Sequence, residues 1–579
     1  MRFTFDHSPA QTALALLAVL CLAAQVRLTG IVWDGLVGLH PDERHLLFLT
    51  QDMFLALADP AQVARGLSQW WFAVDSPLNP HLGDRSYVYG EAPLLAGMLV
   101  GQAFGATDWF DFIKVGRSLS VAVDTAAVLA VFLGARLLAG NAAGLFAAVL
   151  YAAMPTALQL AAFHTVDVWL SAATAAALVP MVALAKDRCG RAGPLAMAAL
   201  AGLFIGFAMA SKITGLLLVL PFIFAAALAV RRGLSLQRAA LALCLAVVLA
   251  LTVFRLANPF AFAGPGIWGL RLSPDWIADF IGLAEVTASP GFPPNWQWIA
   301  GYGIVRFLRD FALFGAGPVA AGLFLLLLIQ DRRWGAVIVP LVAFFVFLLL
   351  AATSSVSALR YAAPGLAGLA MALAPVVGRL DRWVALSALL AALWWGAGTV
   401  RLHDGQHPRL VASHWLWTLP RGTVLTNETG WDEALPTILS LTSDEPFRWP
   451  THDGWFDFQT LDITDADSPE KADRMAAMLA RTDFLILSSD RQSAVMPRLP
   501  ERFPMTSAHY EALFSGEACF TPVLTIDRGY PLPGLRLEDG WVQEPWRVYD
   551  HPVVRIFQRD PCFEAGTYHA RLKGALTSR

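Results

Sequence analysis

The sequence predicts a mostly α-helical, polytopic membrane protein with a C-terminal α/β domain. Three observations predict it. Apolar runs of about 20 residues, the length that crosses a bilayer, recur through residues 1–400. Charged residues make up only 15% of the 579, against roughly 25% in soluble globular chains. After Val400 the composition turns ordinary, with prolines, tryptophans and mixed charge. The mean hydropathy of +0.53 places the chain in the same class. A net charge of -3 gives no basic footprint, so nucleic acid is not an expected partner. No G-x-x-x-x-G-K-[ST] loop or dinucleotide fingerprint occurs, so nothing points to bound ATP or NAD. The five cysteines lack metal-ligand spacing.

The first run, 11–33, is long enough to span; a cleaved signal peptide ending near "CLAAQ" is the alternative. Further runs cover 117–138, 142–162, 166–185, 195–210, 214–230, 237–254, 304–329, 334–352, 359–377 and 383–400, giving eleven spans. The segment 92–104 is too short to cross and reads as interfacial or re-entrant. Loop charge supports that reading. With 92–104 kept on one side, the basic loops at Arg136, at Lys186/Arg188/Arg191, at Arg231/Arg232/Arg238, at Arg332/Arg333 and at Arg379/Arg382 all share a face, which is the positive-inside pattern. The N-terminus is then cytoplasmic, and residues 401–579 lie outside.

In that tail, "SPEKADRMAAMLAR" reads as a helix and "DFLILSS" as a buried strand, hence an α/β domain. An oxidising compartment would permit a disulfide between Cys519 and Cys562; two unpaired small hydrophobes are the alternative. The acidic Glu428, Asp432 and Glu433 read as solvated or structural.

With this topology the unusual polar residues gather at the outer face, in the loops 36–114 and 258–302 and in three turns. Polar residues at a membrane are expensive and read by default as a site. In "GLHPDERHLLFL", Pro41 suits the first position of a helix. Leu46, Leu49, Met53 and Leu57 then share one face, so the helix is amphipathic and expected to lie on the membrane. Asp42 and Glu43 occupy its first turn, where the helix dipole favours their ionised forms. Helix neighbours point about 100° apart, so one carboxylate can face a substrate while the other holds structure. A carboxylate facing an enclosed pocket can act as a general base; the plain alternative is two acids decorating a helix start. Arg117, Lys212 and Arg360 fall on the same face, and three such cations suit an anionic group such as a lipid phosphate. Singly, each could snorkel to headgroups, and Arg117 could pair with Asp124 two turns on. His164 and Asp167, three apart, could ligate a metal or act as a hydrogen-bonding pair behind the site; no third ligand is visible.

In order, "HPDE", "YVYGEAPL", "VGRSLS", "FHTVDV", "ASKITG", "PPNWQW" and "LRYAAPG" resemble the GT-C-type membrane glycosyltransferases that use polyprenyl-phosphate sugars, among them protein O-mannosyltransferases and lipid A aminoarabinose transferases. The tail segments "GWDEALP", "LILSSDR", "LPERFP", "HYEALFSG" and "VYDHPVVRIFQR" resemble a subgroup with a tyrosine-rich extracytoplasmic C-terminal region. His509-Tyr510, "EACF" and "VQEPW" depart from its pattern. The resemblance implies a GT-C catalytic domain over 1–400, an extracytoplasmic domain over 401–579, and a home in a bacterial inner (plasma) membrane among membrane lipids. It implies inverting transfer of a hexose or pentose from a polyprenyl-phosphate donor to a hydroxyl of a protein, lipid or glycan. Asp42 maps to the base with Glu43 beside it; Arg117, Lys212 and Arg360 map to the donor phosphate; Tyr89, His164, Asp167, Gln297 and Tyr361 map to substrate contacts. No cofactor is required by the resemblance, which leaves a divalent cation open. The rival from another class is a transporter or flippase of lipid-linked sugars, against which stand the missing internal repeat and the one-sided polar residues.

Overall fold

In hydrocarbon every backbone N–H and C=O must be satisfied within its own segment, so apolar runs become helices. A computed structural model describes residues 8–65, 70–189, 193–264, 266–299, 301–330, 335–428, 434–437 and 454–577. The helices of the first part are α1 (Pro9–Leu28), α2 (Pro41–Leu57), α3 (Glu91–Ala103), α4 (Trp109–Ala139), α5 (Asn141–Ala152), α6 (Pro155–Ala161), α7 (Val166–Ala185), α8 (Gly193–Ser211), α9 (Val219–Arg231), α10 (Leu236–Ala257), α11 (Pro274–Ala288), α12 (Ile304–Asp310), α13 (Pro318–Gln330), α14 (Ile338–Thr353), α15 (Ala363–Val377) and α16 (Arg382–Leu402). Among the described residues nine helices are long and apolar enough to cross a membrane, or eleven if each of two bent pairs counts as one span. Eleven is the number the sequence predicts. Arg191, Arg332, Arg333, Asp432 and Glu433 lie outside the described residues.

Both bends have local causes. α5 meets α6 at 62°, where Pro155 opens the second helix and cannot continue the first. α12 runs through a π turn, Phe311–Gly315, and meets α13 at 115°. Gly317 stands in that break at φ +85, directly before Pro318, and neither residue extends a helix.

Small residues let the spans approach closely, the usual device where lipid is as apolar as the side chains. Gly202 and Gly206 on α8 face Ala246 and Ala250 on α10; a Cβ at either glycine would meet a carbonyl oxygen at 2.4 Å. Leu14, Leu17 and Leu22 on α1 and Val247, Val248 and Leu251 on α10 stay exposed, as lipid-facing residues should.

α2 forms as its sequence requires, with Pro41 at the start and His40 Nδ1 accepting from the Asp42 N–H. Its apolar face does not rest on the membrane. Leu46, Leu49, Met53 and Leu57 are buried against Tyr87 and against Leu94, Leu95 and Met98 of α3. The periodicity fixed the face, but protein covers it, because α3 packs alongside.

After α17 (Pro408–Leu416) comes the sheet: β1 (Val424–Glu428), β2 (Asp457–Leu461), β3 (Phe484–Leu487), β4 (Phe520–Ile526) and β7 (Val554–Arg559), with the hairpin β5 (Tyr530–Leu532) and β6 (Leu535–Leu537) apart. The order is β2-β1-β3-β7-β4. β1 is parallel to β2 and β3, and β7 is antiparallel to β3 and β4. The predicted helix is α18 (Pro469–Leu479), the predicted strand is the fully buried β3, and α19 (Pro504–Ser515) and α20 (Ala565–Thr577) cover the sheet. Cys519 and Cys562 form a disulfide. Glu428 is not solvated: it accepts from the Tyr510 hydroxyl at 3.1 Å and is buried.

The tail is docked into the helices rather than tethered beside them. Tyr530 of β5 donates its hydroxyl to the Trp395 carbonyl of α16 at 2.7 Å, and Tyr530, Leu532, Val542 and Trp546 join the transmembrane core.

Candidate active site

Asp42, Lys212, Arg360 and Asp167 come together from four places in the chain. Pro41 and the His40 cap start α2 so that Asp42 sits in its first turn. Asp167 opens α7, Lys212 follows the end of α8, and Arg360 lies in the 3-10 turn Leu359–Ala362 before α15. Arg360 Nη1 donates to Asp42 Oδ2 at 2.7 Å. Lys212 Nζ donates to Asp167 Oδ1 at 2.7 Å, and Arg360 Nε is 4.0 Å from Asp167 Oδ2. Two carboxylates thus alternate with two cations, so the cluster is neutral. Rings close around it. Lys212 Nζ lies 4.7 Å from the Tyr361 ring and 5.5 Å from the Tyr89 ring, both within cation–π range. The Arg360 guanidinium lies 5.6 Å from the Tyr361 ring and 5.7 Å from that of Tyr549. Asp42 and Arg360 keep partial exposure, 18% and 16% of their side chains, so a ligand can reach both.

Burial would raise the Asp42 carboxyl, but Arg360, together with His40, Lys212 and Tyr89, outweighs it and holds the group down at about 2. Burial pushes His40 down to about 4, so its imidazole is neutral beside the pair. A narrow cleft opens beside Arg360, lined by His40, Phe163, Gln543, Trp546 and Tyr549 among others.

Arg117 and Glu43 are not part of this arrangement. Arg117 is fully buried and spends its guanidinium on two carboxylates: Nη1 and Nη2 donate to Asp34 at 2.7 Å, and Nε and Nη2 donate to Glu43 at 2.9 and 2.7 Å. Glu43 Oε1 also accepts from the His164 N–H at 2.7 Å. One cation cannot satisfy two buried acids equally. Burial raises both, but Arg117 outweighs it at Asp34 and holds that acid low, while Glu43 stays pushed up. The triad ties the chain after α1, the start of α2 and the N-terminal third of α4 together. Arg117, expected at a phosphate, and Glu43, expected beside the base, therefore hold structure behind Asp42. The divergence of the two α2 carboxylates is as the 100° helical step requires. The alternative Arg117–Asp124 pair does not form; Asp124 takes Arg27 Nε at 2.5 Å and the Tyr151 hydroxyl at 2.9 Å.

His164 and Asp167 also part company. The His164 ring is buried with neither nitrogen hydrogen-bonded, in a slot that a Cβ at Gly97 or Gly116 would invade. Gln297 lies away from the cluster: its Nε2 donates to Glu544 Oε2 at 2.8 Å, joining the loop 258–302 to the tail. Among the described residues no three His, Cys, Asp or Glu side chains are grouped to hold a metal ion. Asp42 and Asp167 would offer it two ligands between two cations, a donor set that does not make a metal seat.

Two neighbours escaped the sequence reading. Asp34, in "VWDG" just after the first span, reads as a loop acid until the fold brings Arg117 to it. Tyr549, inside "VYDHPVV", looks like part of a distant domain, yet its ring packs 4.2 Å from that of His40.

Residues 111–256 match the family model described as dolichyl-phosphate-mannose-protein mannosyltransferase. No curated protein matches the chain. Among solved structures, the Archaeoglobus fulgidus oligosaccharyltransferase AglB, in complex with an inhibitory peptide and a dolichol-phosphate, is similar at 13% identity and a TM-score of 0.51, over 91% of this chain and 74% of that one. The apo form of the Archaeoglobus fulgidus oligosaccharyltransferase gives 14%, a TM-score of 0.50, and 91% and 75% coverage. ArnT from Cupriavidus metallidurans, bound to undecaprenyl phosphate, gives 14%, a TM-score of 0.45, and 85% and 95% coverage. The chain is a multi-pass membrane protein of the GT-C fold whose residues 111–256 carry the pattern of the dolichyl-phosphate-mannose-protein mannosyltransferase family.

Proposed function

We propose that the chain is an integral-membrane glycosyltransferase that moves a sugar from a polyprenyl-phosphate donor to an acceptor hydroxyl on the extracytoplasmic side, with inversion and with Asp42 as the base. The observation that carries this reading is the Asp42–Arg360–Asp167–Lys212 cluster, partly exposed at a cleft and roofed by tyrosines. A phosphate entering the cluster competes with the carboxylates for Arg360 and Lys212. Guanidinium and ammonium groups suit it better than a lone carboxylate, since it presents several acceptor oxygens at once. As Arg360 and Lys212 turn to the phosphate, Asp42 loses the two cations among the groups that hold its pKa down, and burial then favours a proton. The donor's own phosphate thereby prepares the base.

In the transfer, the acceptor hydroxyl gives its proton to Asp42 as its oxygen bonds to the anomeric carbon. The bond from that carbon to the phosphate oxygen breaks, and the lipid phosphate leaves with the electron pair. Arg360 and Lys212 meet the charge that develops there. The orientation that supports this reading is the positive-inside pattern, which puts the N-terminus in the cytoplasm and the cluster and tail outside. Asp42→Asn should abolish transfer from a polyprenyl-phosphate sugar in detergent, with the melting temperature unchanged. Near-normal turnover by that variant would remove Asp42 from the role. Turnover in detergent, where no gradient exists, also separates an enzyme from a flippase.

A further inference from the structure

A second concentration of positive charge lies apart from the Asp42 cluster, where the tail meets the start of α12. It is a solvent-open cavity of about 300 Å³, lined by Arg306, Arg309, Arg498 and Arg547 together with Asp490 and Glu544. Both carboxylates are already engaged. Asp490 accepts from Arg547 Nη2 at 2.8 Å. Glu544 accepts from Arg491 Nε at 2.5 Å and from Gln297 Nε2 at 2.8 Å. Arg309 is turned to the buried Asp310 at 2.8 Å and over the Trp541 ring at 4.1 Å.

Positive charge is left over. Among the described residues Arg306 and Arg498 have no acidic partner, and they face each other: burial and then the like charge of Arg306 disfavour the Arg498 cation. At the base of the cavity Arg547 is only 3% exposed, yet its Nε and Nη1 meet no acceptor. Asp539 also faces Arg547, but its carboxylate takes His551 Nε2 at 2.7 Å. Unpaired buried donors and facing like charges are both unfavourable. An anion with several acceptor oxygens relieves both, and the guanidinium fork fits phosphate in a bidentate manner.

We propose that this cavity binds a phosphate-bearing group, at a seat separate from the Asp42 cluster. Its place suggests what the seat serves. Gln543 lines both this cavity and the cleft at Arg360, and six residues on, Tyr549 packs on Arg360. A phosphorylated molecule held here stands at one end of the tail segment whose other end roofs the cluster.

The test uses the full chain in an uncharged detergent, in an Arg360→Gln background that takes the Asp42 cluster out of the count. The probes are inorganic phosphate and phosphatidylglycerol added to the micelles, with binding followed by calorimetry. Adding Arg306→Gln and Arg498→Gln, neither of which has an acidic partner among the described residues, should weaken binding by about tenfold or more. Binding of both probes marks a free or terminal phosphate as the ligand, and binding of phosphatidylglycerol alone marks a lipid headgroup; either supports the seat. If neither probe saturates, or the double substitution changes nothing, the proposal is overturned, whatever Asp42→Asn does to turnover.

Discussion

Two arginines expected to share one job do different ones. Arg117 and Arg360 both bind a carboxylate on α2. Arg360 keeps 16% of its side chain exposed and holds one acid; Arg117 is sealed and holds two. Removing one member of a buried charged group leaves the others uncompensated, at a cost of about 3–5 kcal/mol. Arg117→Leu should therefore lower the melting temperature strongly, by roughly that much stability. Arg360→Gln should leave melting close to wild type and abolish transfer. Thermal unfolding in detergent beside a turnover assay reads both. Equal melting temperatures for the two variants would undo the distinction. Residue type was legible in the sequence; which arginine is reachable was not, because exposure depends on the loop that brings Asp34 over.

Among the elements, the close contact of α8 and α10 shows what periodicity can and cannot say. The run 195–210 announces a span, and its Gly202 and Gly206 sit four apart, on one face. Nothing in the run names α10 as the partner. Gly206→Leu should force the two helices apart and cost about 1–3 kcal/mol, read as a lower melting temperature. Gly282 has open space for a Cβ, and Gly282→Ala should leave melting unchanged, which controls for glycine loss as such. α2 carries the same lesson in reverse. Its apolar face was legible residue by residue, but the sequence could not say whether lipid or protein would cover it, and α3 does.

Over the whole molecule, the tail is joined to the helices by buried polar contacts. Asp550 accepts from Gln159 Nε2 at 2.8 Å, lies 3.5 Å from His403 Nε2, and pairs with His551. Burial would lower His551, but Asp550 and Asp539 on either side raise it to about 9. Its folded value thus stands above the ordinary 6.5. The stabilisation is complete below pH 6.5 and is lost as pH rises through about 9. Melting temperature should fall between those values in the wild type, and that fall should disappear in His551→Gln. A flat profile in the wild type would mean that His551 does not clamp the tail.

By itself the sequence determined the span count, the α/β tail and the set of side chains from which the cluster is drawn. Those follow from local rules: hydrophobic length, composition, and charge at the ends of spans. The tertiary structure decided that Asp42 keeps partial exposure beside Arg360 while Glu43 is sealed against Arg117, that His164 leaves Asp167, and that Tyr549 of the tail reaches Arg360. Each of these depends on contacts between residues far apart in sequence. Buried charges take whichever partner the packing brings within hydrogen-bond distance, and spacing along the chain does not record that choice.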